Sequence, residues 1–131
     1  MNWIKLQGKI QINNGVRIIV SDDFCKYYQW LIKRQFPWIK TQLPAHRGHS
    51  TLFNPKIHKA AADWASNPEL LAYRNRTVEI EYNPDLYQSR VNFWCKARCN
   101  IYHEIKWIIG FEETPNWWGL HLTVANLKFN G

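Results

Sequence analysis

The chain has 131 residues, including eight tryptophans, and its 17 lysines and arginines against ten acidic residues give a formal net charge of +7. This length predicts one domain over residues 1–131, and the positive charge favours an anionic partner. Three cysteines exclude a complete disulfide framework and favour a reducing cytoplasm, and nothing resembles a secretion leader or an apolar run of about 18 residues that would suggest a membrane.

The first third of the chain predicts a hairpin followed by a helix. Residues 3–12 alternate between apolar and polar, which is typical of a half-buried strand. Asn13-Asn14-Gly15-Val16 predicts a type I′ turn, after which residues 16–20 pair back as a second strand. Ser21 is a good N-cap and Pro37 a stop signal, so we predict a helix over Ser21–Gln35.

The next stretch predicts a loop, a strand and a second helix. Pro44 and Gly48 mark a loop that leads into a short strand over residues 48–53, and Asn54-Pro55 closes that strand. Residues 57–66 are rich in alanine and predict a helix that stops near Pro68.

The second half predicts more strands and one ambiguous segment. Residues 78–82 alternate, and a turn is predicted at Asn83-Pro84-Asp85. Residues 91–99 alternate again. Residues 100–111 fit either a helix or a strand, and residues 120–129 predict the final strand.

The spacing Cys95-x3-Cys99-x3-His103 is also that of metal ligands on one helical face. A strand explains more of this segment, because it buries both cysteines in the core. We therefore predict no metal. The other face of that strand would line a groove with Trp94, Lys96 and Arg98.

Two short motifs of the form H-x-T point to the chemistry. The first is His49-Ser50-Thr51 and the second is His121-Leu122-Thr123. On a strand, the two-residue period puts each histidine and its threonine on one face. Two such strands side by side would suit attack at phosphorus without a metal. One imidazole would remove a proton, the other would supply one, and the threonine hydroxyls would hold the phosphoryl oxygens.

With these two motifs the chain resembles the 2H phosphoesterase superfamily over roughly residues 16–129. That superfamily includes 2′,3′-cyclic phosphodiesterases and phage nucleases that destroy cyclic-oligonucleotide signals in anti-CBASS defence. The resemblance implies a single bilobal α+β domain, with two antiparallel sheets meeting at a central groove and helices packed outside. It also favours a helix over residues 100–109. His49 and His121 would share the roles of acid and base, Thr51 and Thr123 would bind the phosphate, and no cofactor is implied.

The predicted substrate is a nucleotide or a short or cyclic oligonucleotide. The protein is predicted to be a monomer in the cytoplasm, which would be the host cytoplasm if a phage encodes the chain. From Phe24 to Ala62 there are seven basic residues and no acidic one, and flat rings commonly stack on bases. The alternative is a non-catalytic RNA- or DNA-binding module that uses only charge and aromatic rings. The predicted substrate contacts are His46, Arg47, Trp94, Lys96, Arg98, Trp117 and Trp118.

Overall fold

The computed structural model describes residues 2–45, 47–111 and 120–128, and these form an α+β fold. The strands are β1 (Ile4–Asn13), β2 (Gly15–Ile19), β3 (Thr41–Gln42), β4 (His49–Phe53), β5 (Thr77–Gln88), β6 (Asn92–Arg98) and β7 (Leu120–Leu127). The helices are α1 (Asp22–Gln35), α2 (Pro68–Leu71) and α3 (Asn100–Ile109), with a 3₁₀ turn at Trp64–Ser66.

The strands form one closed antiparallel sheet. Its order is β7-β4-β2-β1-β5-β6, and β6 pairs with β7 to close the circuit, while the short β3 also pairs with β7. The predicted arrangement of two sheets meeting at a groove is not confirmed. The physical reason is that β7 bonds to β4 on one side and to β6 on the other, so both motif strands belong to one continuous ladder.

Helix α1 covers the apolar face of this sheet. Its buried Tyr28 donates a hydrogen bond to the Pro84 carbonyl oxygen at 3.4 Å, and its Phe24 packs edge-on against Tyr82 with ring centroids 5.0 Å apart. The Ser21 side chain accepts a hydrogen bond from Phe24 N at 3.4 Å, so the predicted N-cap and helix are confirmed. We call the opposite face the polar face; it carries Lys9, Arg17 and Lys96 together with the rings of Trp94 and Tyr87.

The β1–β2 hairpin is confirmed, but the predicted type I′ turn is wrong. Asn13 pairs directly with Gly15, which leaves one residue at the tip, and Asn14 does not have the positive φ that this turn needs. Gly15 has φ of 145°, and a Cβ on it would lie 2.6 Å from the Phe53 carbonyl oxygen. Glycine is therefore required here by close packing against the end of β4.

Two further predictions about local structure are wrong. Residues 57–66 do not form a helix, and Pro68 starts α2 instead of stopping one, because Asn67 caps α2 by accepting a hydrogen bond from Glu69 N. The chain does not turn at Asn83–Asp85 either. β5 continues through this stretch with a shift of register, and the Asn83 amide oxygen accepts a hydrogen bond from Asp85 N at 2.9 Å.

The ambiguous segment is helical, as the resemblance favoured. α3 ends at Gly110, which has the left-handed φ of 71° that suits glycine at a helix C-terminus. No helix among the described residues combines the length and apolar character needed to cross a membrane.

Candidate active site

The pairing of β4 with β7 brings the two H-x-T motifs together. His49 lies opposite Thr123, and Ser50 lies opposite Leu122. Directly opposed residues share a face, and so do residues two apart on one strand. His49, Thr51, His121 and Thr123 therefore share the polar face, while Ser50 and Leu122 are fully buried on the apolar face. The two histidines are diagonal neighbours, for which Cβ atoms lie about 7 Å apart.

The backbone just before β4 orients His49. The Nδ1 atom of His49 lies 2.7 Å from the Arg47 carbonyl oxygen. A carbonyl oxygen only accepts, so Nδ1 carries the proton and the lone pair of the neutral ring is on Nε2. Arg47 has φ of 62°, an uncommon conformation for a residue with a side chain, and this bend brings its carbonyl to the imidazole.

His121 is held by an aromatic ring. The indole of Trp94 on β6 stacks on its imidazole, with centroids 3.7 Å apart and planes inclined by 12°. The Nε2 atom of His121 is buried and has no hydrogen-bond partner within the described part of the chain. Burial lowers the pKa of His121 below its ordinary value of 6.5, because the charged form loses hydration. The neutral ring is therefore the favoured form of His121.

Trp94 does not offer a free ring face to a base. Tyr87 on β5 stacks on it with centroids 4.8 Å apart, and His121 stacks on it from β7. Since β6 lies between β5 and β7, these two rings lie on opposite faces of the indole. The prediction that Trp94 stacks a substrate base therefore does not fit this arrangement. Tyr87, which we did not predict, is the outer ring of the stack and is 37% exposed.

The predicted basic contacts have different surroundings. Lys96 pairs with His121 across β6 and β7, on the polar face, and its Nζ lies 5.2 Å from the centre of the Tyr87 ring. Arg98 is occupied elsewhere, because its guanidinium lies 3.4 Å from Glu81 and over the ring of Trp3. Arg47 is exposed and lies 3.3 Å from Asp22, so one of its charged contacts is already made.

Sequence reasoning missed Arg17 on β2. It pairs with Thr51 across β2 and β4, so it lies on the polar face beside the first motif, and it is half-buried. A signal was present, because Arg17 is the one charged residue in an otherwise apolar strand. That signal does not say which strand is its neighbour, and only the pairing of β2 with β4 reveals the contact.

The prediction that both cysteines lie in the core is confirmed for Cys95 but not for Cys99, which is half-buried just beyond the end of β6. Cys95 is fully buried beside Tyr28, and Cys99, just before α3, donates a hydrogen bond to the Glu79 carbonyl oxygen at 3.2 Å. The predicted strand over residues 91–99 is thereby confirmed as β6. Among residues 2–45, 47–111 and 120–128, no group of three histidine, cysteine, aspartate or glutamate side chains is arranged to hold a metal ion.

Three predicted contacts, His46, Trp117 and Trp118, lie outside the described residues. Two remaining histidines are away from the motifs. The ring of His58 packs near Phe53 and Phe111, and His103 is exposed on α3.

Comparisons of the chain with protein-family models, with curated proteins and with solved structures found no match.

Proposed function

We propose that the chain is a phosphodiesterase of the 2H type that cleaves a nucleotide phosphodiester without a metal ion. The observation that carries the proposal is the register of β4 against β7, in which His49 faces Thr123 and all four motif side chains share the polar face. Two imidazoles beside one phosphate can supply both proton transfers, and hydroxyl groups can bind its oxygens.

In the proposed reaction His121 is the general base, because its burial favours the neutral ring. It removes the proton from the attacking hydroxyl, either water or a ribose 2′-hydroxyl, as the oxygen forms a bond to phosphorus. The bond from phosphorus to the leaving oxygen breaks, and His49, which starts the reaction as the doubly protonated imidazolium, gives that oxygen its Nε2 proton and is left neutral with the Nδ1 proton. Thr51 and Thr123 hold the non-bridging oxygens, and Arg17 and Lys96 balance their negative charge.

We propose cyclic oligonucleotide messengers as the first class of substrate and 2′,3′-cyclic or 2′,5′-linked RNA as the second. A cytoplasmic compartment fits the free cysteines Cys25, Cys95 and Cys99. The polar face also has features of a non-catalytic nucleic-acid-binding module, since Lys96 lies beside the exposed ring of Tyr87 and Arg17 adds a second cation next to the first motif.

Turnover separates these two functions. The test incubates the protein with EDTA and a panel of cyclic dinucleotides, cyclic trinucleotides, 2′,5′-oligoadenylate and 2′,3′-cyclic nucleotides. We expect cleavage, and a loss of at least about 10²-fold in rate for His49→Ala and for His121→Ala, as for other acid and base residues. His103→Ala on α3 is the matched control and should cleave like the parent. Binding without cleavage, or full activity in the double histidine variant, would rule out the enzyme.

A further inference from the structure

One row of side chains crosses the polar face and has the motif residues at its middle. Each member is the Cα partner of the next on the neighbouring strand. In order around the sheet they are Lys9, Ile19, His49, Thr123, Trp94 and Tyr87. With about 4.8 Å between strands, Lys9 lies roughly 10 Å from His49 along the sheet, and Tyr87 roughly 14 Å away on the other side.

A cavity of about 490 Å³ opens on the β1 side of His49. Its lining includes Ile19, the Cα partner of His49, and Arg47, whose carbonyl holds the His49 ring. This volume falls within the range of about 300–1,000 Å³ that is usual for small-ligand sites. The cavity is therefore adjacent to the site and large enough for one unit of a substrate. We call it the Lys9 cavity.

The chemistry of the Lys9 cavity suits a nucleoside and its next phosphate. Gln7 and Gln11 offer amide donors and acceptors of the kind that read base edges, and Ile19 offers an apolar wall. Lys9 is exposed and has no ion pair among the described residues, whereas Arg47 at the rim is paired with Asp22. An unpaired ammonium group beside amides favours an anionic, hydrogen-bonding ligand.

The other side of the site offers a ring and a second cation. Tyr87 ends the stack that begins at His121 and Trp94, and Lys96 lies beside it. A base placed against Tyr87 would extend a stack that is already built. The position between the histidines therefore has the Lys9 cavity on one side and an exposed ring with a lysine on the other.

We propose that the site binds a phosphodiester with a nucleoside on both sides, one in the Lys9 cavity and one against Tyr87. This inference rests on the proposed function and narrows its substrate class. The substrate is an internal phosphodiester of a linear or cyclic oligonucleotide, and a 2′,3′-cyclic mononucleotide fills only one of the two subsites.

The test measures the affinity of two probes, cyclic di-AMP and 2′,3′-cyclic AMP, by calorimetry in a His49→Ala background that does not turn over. We expect cyclic di-AMP to bind at least about tenfold more tightly, because it spans both subsites. Lys9→Ala should weaken cyclic di-AMP about 5- to 30-fold, as expected for a charged contact, and Tyr87→Ala about 5- to 150-fold. Either change should leave the affinity for 2′,3′-cyclic AMP within about twofold of the value in the His49→Ala background, since one subsite remains to hold it.

Lys5→Ala is the matched control for Lys9→Ala. Lys5 is an exposed lysine on the same face of β1, four residues away, and does not line the Lys9 cavity. We expect it to leave both affinities unchanged. The two-subsite inference is overturned if cyclic di-AMP fails to bind, if it binds no better than 2′,3′-cyclic AMP, or if Lys9→Ala behaves like Lys5→Ala.

These outcomes separate the two proposals. If the probes show two subsites but His49→Ala and His121→Ala cleave as fast as the parent, the proposed phosphodiesterase activity of this site is wrong. The site then only binds the nucleotide. If both histidine variants lose activity but Lys9→Ala changes nothing, the enzyme stands and its substrate does not use the Lys9 cavity.

Discussion

His49 and Thr123, which are 74 positions apart in the sequence, are direct Cα partners across β4 and β7. This single pairing brings both H-x-T motifs to one face, since residues two apart on each strand point the same way. It also aligns the motifs with Arg17 on one side and Lys96 on the other. Five predictions test how this face works.

The first prediction concerns the protonation of His121. Burial lowers its pKa, so we expect NMR titration of its ring protons to give a midpoint below 6.5. If His121 is the base, its neutral form is active. The value of kcat/KM should then fall at low pH, with a midpoint below 6.5 in the free enzyme. A His121 midpoint above 6.5 would contradict this account.

The second prediction is that the two stacked rings Trp94 and Tyr87 affect different kinetic constants. Trp94 is stacked between His121 and Tyr87, so we expect it to position the proposed base, whereas Tyr87 is partly exposed. We expect Trp94→Ala to lower kcat and to move the His121 midpoint toward 6.5 as water reaches the ring. Tyr87→Ala should mainly raise KM. If both variants change only KM, Trp94 does not act through His121.

The third prediction concerns Arg17, which lies opposite Thr51. A cation there can balance the charge that develops on the phosphoryl oxygens. We expect Arg17→Ala to reduce kcat/KM by about 10- to 100-fold, a loss typical of one charged hydrogen bond, and Arg17→Lys to recover part of it. The exposed Arg90, in the turn between β5 and β6, supplies a control, because Arg90→Ala removes the same charge outside both H-x-T motifs. Equal losses of kcat/KM for Arg17→Ala and Arg90→Ala would show that the loss comes from the change in net charge and not from the position of Arg17.

The fourth prediction is that purified protein carries no stoichiometric zinc and that EDTA does not slow turnover. Thiolates are the zinc ligands among cysteines, and burial raises the pKa of Cys95 to about 11. Cys99 also has a raised pKa, mainly from burial, and it points to the Glu79 carbonyl. Elemental analysis checks this directly. One zinc per chain would show that these side chains are arranged differently in solution.

The fifth prediction concerns stability at the β1–β2 hairpin. A Cβ at Gly15 would meet the Phe53 carbonyl oxygen at 2.6 Å, and φ there is 145°. We expect Gly15→Ala to lower the free energy of unfolding by about 2–4 kcal/mol, combining backbone strain with overpacking. Gly110→Ala is the control, because its φ is also positive, at 71°, but nothing lies within 4 Å of the added carbon. It should cost only about 1 kcal/mol. Denaturant unfolding measures the free energy of both variants. Equal losses of stability would show that packing against the Phe53 carbonyl does not add to the cost at Gly15.

Local patterns in the sequence determined much of the secondary structure. Alternation predicted β1, β6 and the first half of β5, the Asn-Gly turn signal predicted β2, and the Ser21 cap predicted α1, because these signals act through neighbours in the chain. Where local signals compete, prediction failed. Pro68 is as compatible with a first helical turn as with a helix stop, and Asn83-Pro84-Asp85 lies within a strand at a shift of register.

The sequence by itself also determined which face of each motif strand carries histidine and threonine, since that depends only on a period of two residues. Tertiary structure decided which strands are neighbours. Pairing partners are chosen by hydrogen-bond ladders and core packing between distant segments, which no local pattern encodes. The closed sheet, Arg17 opposite Thr51, the stacking of Trp94 between two rings and the cavity beside Lys9 all follow from that choice.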